Sequence, residues 1–188
     1  MNILKRKSGK LSLKQVMTNC TDSIMKGEIK MIVYKLFKLK NGNLYPLYVE
    51  ANKAVPMGEW IQASCGELVD ETHVKASGCG GVLSLRPGYH STLVPFTDWI
   101  GQKQPDGTLA RRPNHVWCEC EIRGEELTVT ERNGLRTVPN GWYRFKTNSK
   151  QRDPWIISGE IKVNRILSED EVTELCLSNG LEPQKLAM

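Results

Sequence analysis

The chain predicts an α+β fold, a mainly antiparallel and strongly curved sheet with an amphipathic helix before it and a second helix after it. Three observations carry this. Strand-like segments are consecutive through the middle of the chain, and consecutive strands pair antiparallel. Helix-start signals stand only at the ends, at Ser12-x-x-Gln15 and Ser168-x-x-Glu171. Asn41-Gly42-Asn43 separates two apolar runs, the strongest short-range hairpin signal.

The elements follow in order. Residues 1–11 form a basic tail. From Ser12, Leu13, Val16, Met17, Cys20 and Ile24 recur at helical spacing, and Gly27 ends the run. Residues 31–38 are rich in β-formers, and residues 44–50 supply the returning arm of the hairpin. Pro56-Met57-Gly58 breaks the chain before Trp60, and residues 64–81 are polar and Gly-rich, hence a loop. Residues 82–85 form a short strand running into Arg86-Pro87-Gly88, and residues 95–100 suit one helical turn. Residues 102–113 form another loop. Residues 115–122 alternate, with Val116, Cys118, Cys120 and Ile122 on one face and His115, Trp117, Glu119 and Glu121 on the other. Residues 127–130, 142–146 and 160–167 are further strands. The closing helix starts at Ser168, with Leu167 and Val172 as its hydrophobic staple and Gly180 as its stop. The organisation is therefore residues 1–30 as basic tail plus helix, 31–180 as one α+β domain, and 181–188 as a C-terminal tail.

Composition narrows the class. With 39% hydrophobic and 25% charged residues over 188 positions, the chain can bury a core of useful size. No apolar run approaches a membrane span, and the basic start lacks the apolar stretch of a secretory signal. A cytoplasmic protein with no membrane partner is expected. Residues 1–40 hold ten Lys or Arg against two acids, so the front end carries the net charge of +5. That front offers a surface to nucleic acid or an acidic protein, and is equally well a solvated helix face. The six cysteines lack Cys-x-x-Cys spacing. A zinc set of Cys65, Cys79, Cys118 and Cys120 can be drawn, but reduced thiols and no metal are expected.

Three blocks join rings to ionisable groups, the mixture found in the wall of a ligand site. They are Arg86-Pro87-Gly88-Tyr89-His90, Val116-Trp117-Cys118-Glu119-Cys120-Glu121, and Gly141-Trp142-Tyr143-Arg144-Phe145-Lys146-Thr147-Asn148. His90 follows a turn that Pro87 and Gly88 shape, with Ser91 and Thr92 beyond it, and an imidazole there can shuttle a proton. Glu119 and Glu121 project to one side of a strand, where two carboxylates suit acid–base work if the face is sheltered, and a solvated outer face otherwise. Trp142, Tyr143 and Arg144 make a stacking-plus-phosphate surface, or an aromatic inner face beside a basic outer one. Glu160 stands beside a glycine that allows close approach of a ligand. No phosphate loop, dinucleotide fingerprint, His-Glu-x-x-His or Gly-x-Ser-x-Gly is present.

Six blocks carry a resemblance: Tyr34-Lys35-Leu36-Phe37, Leu44-Tyr45-Pro46-Leu47, Arg86-Pro87-Gly88-Tyr89-His90, Val116-Trp117-Cys118-Glu119, Tyr143-Arg144-Phe145-Lys146-Thr147-Asn148 and Lys162-Val163-Asn164-Arg165-Ile166-Leu167. Over residues 31–176 the chain resembles an uncharacterised family of small proteins common in phages and prophages of gut bacteria, also found as a module of long phage polyproteins. It brings no activity with it, and implies a phage accessory protein that meets a host protein. Lys35 or Lys38, then His90-Ser91-Thr92, then Glu119-Cys120-Glu121 are also similar in order to the toxin-type ADP-ribosyltransferases. That likeness implies NAD as co-substrate, Glu121 stabilising the oxocarbenium, Glu119 steering the nucleophile, and Ser91 and Thr92 supporting the NAD pocket. Here Lys replaces the first-strand Arg, and the Ser-Thr-Ser pattern is incomplete. The sequence thus expects a cleft with His90, Glu119 and Glu121 as catalytic groups. Lys35, Arg86, Tyr89, Ser91, Thr92, Trp117, Trp142, Tyr143, Arg144 and Glu160 would bind the ligand. The alternative is a non-enzymatic module that inhibits or recruits a host protein or nucleic acid.

Overall fold

A computed structural model describes residues 30–187. The expected helix at 12–27 and the basic tail lie outside the described residues. Among the described residues there are twelve strands and one helix. The central sheet runs β2-β1-β9-β12-β3, with β1 at Lys30–Lys40, β2 at Asn43–Tyr45, β3 at Trp60–Gln62, β9 at His115–Arg123 and β12 at Glu160–Ile166. All its pairings are antiparallel. A second sheet joins β10 (Trp142–Phe145), β11 (Trp155–Ser158) and β6 (Tyr89–Ser91). Reciprocal backbone bonds of 2.8 Å between Tyr34 and Thr92 tie β6 to the edge of β1, so the two sheets curl into one surface. Two ribbons complete the set, β4 (His73–Ala76) with β5 (Gly81–Ser84), and β7 (Gln102–Lys103) with β8 (Leu109–Ala110).

The hairpin forms as expected. Asn41 (φ 51°) and Gly42 (φ 77°) both adopt left-handed backbone, the conformation a two-residue turn between twisted strands requires. The alternation of β9 is real. Cys118, Cys120 and Ile122 are fully buried with Val33, Phe37, Ile161 and Val163, forming the main core. Helix α1 (Glu169–Ser178) begins with the expected box, in which Ser168 Oγ accepts from Glu171 N–H while the Glu171 carboxylate accepts from Ser168 N–H. Leu167 and Val172 pack in one cluster with Leu36, Trp117, Cys176 and Leu181, so the staple also forms. Gly180 (φ 68°) closes the helix, with Gly180 N–H bonded to Leu177 O and Leu181 N–H to Cys176 O.

Several elements differ from expectation. The returning hairpin arm stops at Tyr45, since Pro46 has no N–H to continue the ladder. Residues 64–81 contain β4, whose partner β5 holds it away from the main sheet. Residues 102–113 contain the β7–β8 ribbon, whereas 95–100 and 127–130 form neither helix nor strand. Strands β3, β6 and β11 carry too little alternation to be read from the sequence. Residues 181–187 pack against the body, as Arg111 N–H donates to Lys185 O, Ala187 N–H donates to Arg111 O, and Leu181 and Ala187 are buried.

Candidate functional site

A cavity of about 460 Å3 opens beside β1. Its position follows from strand pairing. The free edge of β1 is taken by Tyr45 opposite Lys38 and by Thr92 opposite Tyr34, and between them residues 35–37 have no partner on that edge. Side chains from both sheet faces meet in this gap, which explains why Tyr34, Lys35 and Leu36 all line it. The opposite walls are β6, the segment after β2 (Leu47, Tyr48), the β4–β5 ribbon (Val74, Leu83) and the rings of Trp99, Trp117 and Trp155. The volume falls within the range of small-ligand sites, as does the apolar wall with a few polar tips.

The Arg86-Pro87-Gly88 turn presents β6 to the cavity. Gly88 (φ 131°) needs its freedom, because a Cβ there would stand 2.5 Å from Ile157 Cγ2. Beyond it His90 packs edge-on to Trp155, with ring centroids 6.2 Å apart. His90 Nδ1 lies 3.3 Å from Gly88 O, which assigns the ring proton to that nitrogen. Burial, with Lys35 and Arg86 nearby, holds the imidazole neutral, its pKa down at about 3.

Lys35 is the deep cation of the cavity. Its ammonium donates to His90 O at 2.8 Å and lies 5.8 Å from the Tyr89 ring and 5.5 Å from the Phe37 ring. Among the described residues no carboxylate pairs with it, and desolvation lowers its pKa to about 8. Arg86 is the second cation, stacked 3.8 Å above Phe145 with Nε donating to Asn133 O. Glu50 is the cavity's one carboxylate among the described residues, and it pairs with Lys53 at 2.5 Å. The lining thus carries net positive charge. Two residues of the wall each bury a polar atom that has no hydrogen-bond partner among the described residues, Ser91 Oγ (residue 1% exposed) and Trp117 Nε1 (2%). A buried polar atom left unpaired costs about 1–3 kcal/mol.

Six of the thirteen residues expected at a site line this cavity: Lys35, Arg86, Tyr89, His90, Ser91 and Trp117. The other seven do not. Glu119 sits opposite Arg165 and pairs with it at 3.0 Å, and Glu121 sits opposite Lys162 and pairs at 2.8 Å. The bulge at Asn164 also brings its amide to 3.4 Å from Glu121. Lys162, Asn164 and Lys30 hold the Glu121 carboxyl below its usual range. Both acids share the strand face of Trp117, but only the Trp117 end is covered by α1. Thr92 donates to Val94 O, and its backbone bridges Tyr34. Trp142 and Tyr143 are core residues, Trp142 donating to Gly124 O and the Tyr143 hydroxyl accepting from Leu135 N–H. Arg144 pairs with Glu126, and Glu160 with Arg123. NAD chemistry of the transferase kind therefore finds no gathered residue set, since Glu119 and Glu121 stand outside the cavity that holds Lys35 and Ser91.

The drawn zinc set does not gather either. Cys118 and Cys120 lie in the core, where burial pushes the Cys118 thiol up to about 12 and Cys120 higher still, while Cys65 lines the cavity and Cys79 is exposed on the β4–β5 ribbon. No helix among the described residues is long and apolar enough to cross a membrane. Sequence reasoning missed Tyr48, Glu50, Trp99 and Trp155, and named Cys65 only as a zinc ligand. Among these only Trp155 had a signal, because the block at 141–148 continues through the bases Lys150 and Arg152 to this ring. No protein-family model, curated protein or solved structure matches the chain.

Proposed function

We propose that the chain is a small-molecule binding module whose cleft takes an anionic ligand with a flat apolar body. One observation carries the reading. A cavity with aromatic and aliphatic walls holds a half-buried cation, Lys35, with which no carboxylate pairs among the described residues. A desolvated cation without a counter-charge is costly to fold around, and an anion arriving in the cavity offsets that cost. The rings of Trp99, Trp117 and Trp155 suit a planar body. This keeps the ligand cleft that the sequence expects, without catalysis, and differs from the module that binds a host protein or nucleic acid. Transfer chemistry is not adopted, because each acid it needs is neutralised by a neighbouring strand's cation outside the cleft. The phage setting and a host partner rest on the six-block resemblance alone, and the basic segment before residue 30 belongs to that question.

The test is a fluorescence titration with 8-anilinonaphthalene-1-sulfonate, an apolar anionic probe. Saturable binding is expected, weakened about tenfold by Lys35→Met, which corresponds to roughly 1.4 kcal/mol. Emission that never saturates, or binding indifferent to Lys35→Met in a variant with native circular dichroism, contradicts the proposal.

A further inference from the structure

The cavity's cation is also placed to be a nucleophile. We propose that Lys35 forms a covalent imine with a carbonyl carried by the ligand, so that the cleft captures aldehydes or ketones bearing an anionic group. This deepens the reading above and rests on it.

Three features of the site support it. Lys35 reaches the cavity from a strand that is paired along its other edge to β9, so its backbone is fixed. Its nitrogen has one hydrogen-bond partner among the described residues, the His90 carbonyl oxygen, and a primary amine keeps its lone pair free while donating one such bond. Its surroundings are rings and neutral groups, namely Tyr89, Phe37, the buried thiols of Cys118 and Cys120, and the neutral His90. A lysine desolvated in this way sheds its proton more readily, and the free amine is the reactive form.

The step balances without any other reagent. The ammonium first releases a proton to water. The amine lone pair then attacks the carbonyl carbon, a C–N bond forms, and the π electrons move to oxygen. The two protons left on nitrogen pass to that oxygen through solvent, the C–O bond breaks, and water leaves the C=N product. The apolar wall slows the return of water, which favours the imine.

The probe is 4-formylbenzoate, with cyanoborohydride reducing any imine to a stable amine, followed by peptide mapping by mass spectrometry. At neutral pH, Lys35 should be labelled about tenfold faster than any other lysine, because far more of it is unprotonated. An excess of 8-anilinonaphthalene-1-sulfonate should suppress that label. Uniform labelling of surface lysines with Lys35 no faster, while the dye binds saturably, overturns the imine and leaves the cleft. Failure of the dye to bind overturns both. The labelling map of the unaltered protein decides the matter even where a variant folds poorly.

Discussion

Lys35 sits where a folding protein gains least from a charge. Its ammonium is surrounded by rings and thiols, and its one hydrogen bond among the described residues goes to a backbone carbonyl. The thermodynamic sign follows from its pKa of about 8 in the folded chain against 10.5 normally. Below pH 8 both states carry the proton and the folded state bears the full cost. Between 8 and 10.5 the unfolded chain keeps a proton that the folded chain has lost, so stability rises with pH. The cost at neutral pH is on the order of 3 kcal/mol at most. Lys35→Met should therefore raise the urea midpoint at pH 7, and that advantage should shrink by pH 10. An unchanged midpoint at both pH values would mean that the ammonium is well solvated. His90 acts at the other end of the scale. Its folded pKa of about 3 means that the unfolded chain takes up a proton first as pH falls below 6.5. Stability should drop progressively from there, more shallowly in His90→Gln. His115, held down to about 4 by burial and by Arg112, keeps part of the slope in that variant. Urea titrations at pH 7, 5.5 and 4.5 check this.

At the level of elements, the features that were legible are those set by local chemistry. The Asn41-Gly42 hairpin, the Ser168–Glu171 box, the Leu167–Val172 staple and the Gly180 stop each need only a few adjacent residues, and all four form. Ser168→Ala should cost about 1 kcal/mol, since the Glu171 amide loses its side-chain acceptor. Chemical denaturation measures it, and a change below a few tenths would show that the packed face of α1 outweighs its cap. Strands β3, β6 and β11 were illegible for a physical reason. β11 is buried on both faces (Trp155, Ile156, Ile157 and Ser158), so it has no polar side to alternate with. β3 and β6 are three residues each, too short to show a period. Gly88 marks the one turn on which the cavity wall depends. Gly88→Ala should lower the melting temperature and weaken dye binding together, because the new Cβ drives the turn away from Ile157. Loss of stability with unaltered binding would separate the turn from the site.

For the molecule as a whole, half of the expected site survives because sequence proximity and strand faces are only part of the geometry. His90, Ser91, Tyr89 and Arg86 stay together since one turn and one short strand carry them. Glu119 and Glu121 were read correctly as facing one way. What the sequence could not show is that β12 lies next to β9 in a register that sets Arg165 and Lys162 opposite them. Cross-strand pairing of this kind turns two candidate catalysts into a charged ladder. The cavity itself arises from an unpaired stretch of β1 between two distant partners, Tyr45 and Thr92, and no local pattern encodes it. The buried indole of Trp117 reports on that cavity from inside. In a two-dimensional 15N–1H spectrum its Nε1–H signal, assigned by loss in Trp117→Phe, should shift saturably as 8-anilinonaphthalene-1-sulfonate is added, with Trp142 unmoved because its N–H is bonded to Gly124 O. A Trp117 signal that stays in place while the dye binds elsewhere would contradict the account.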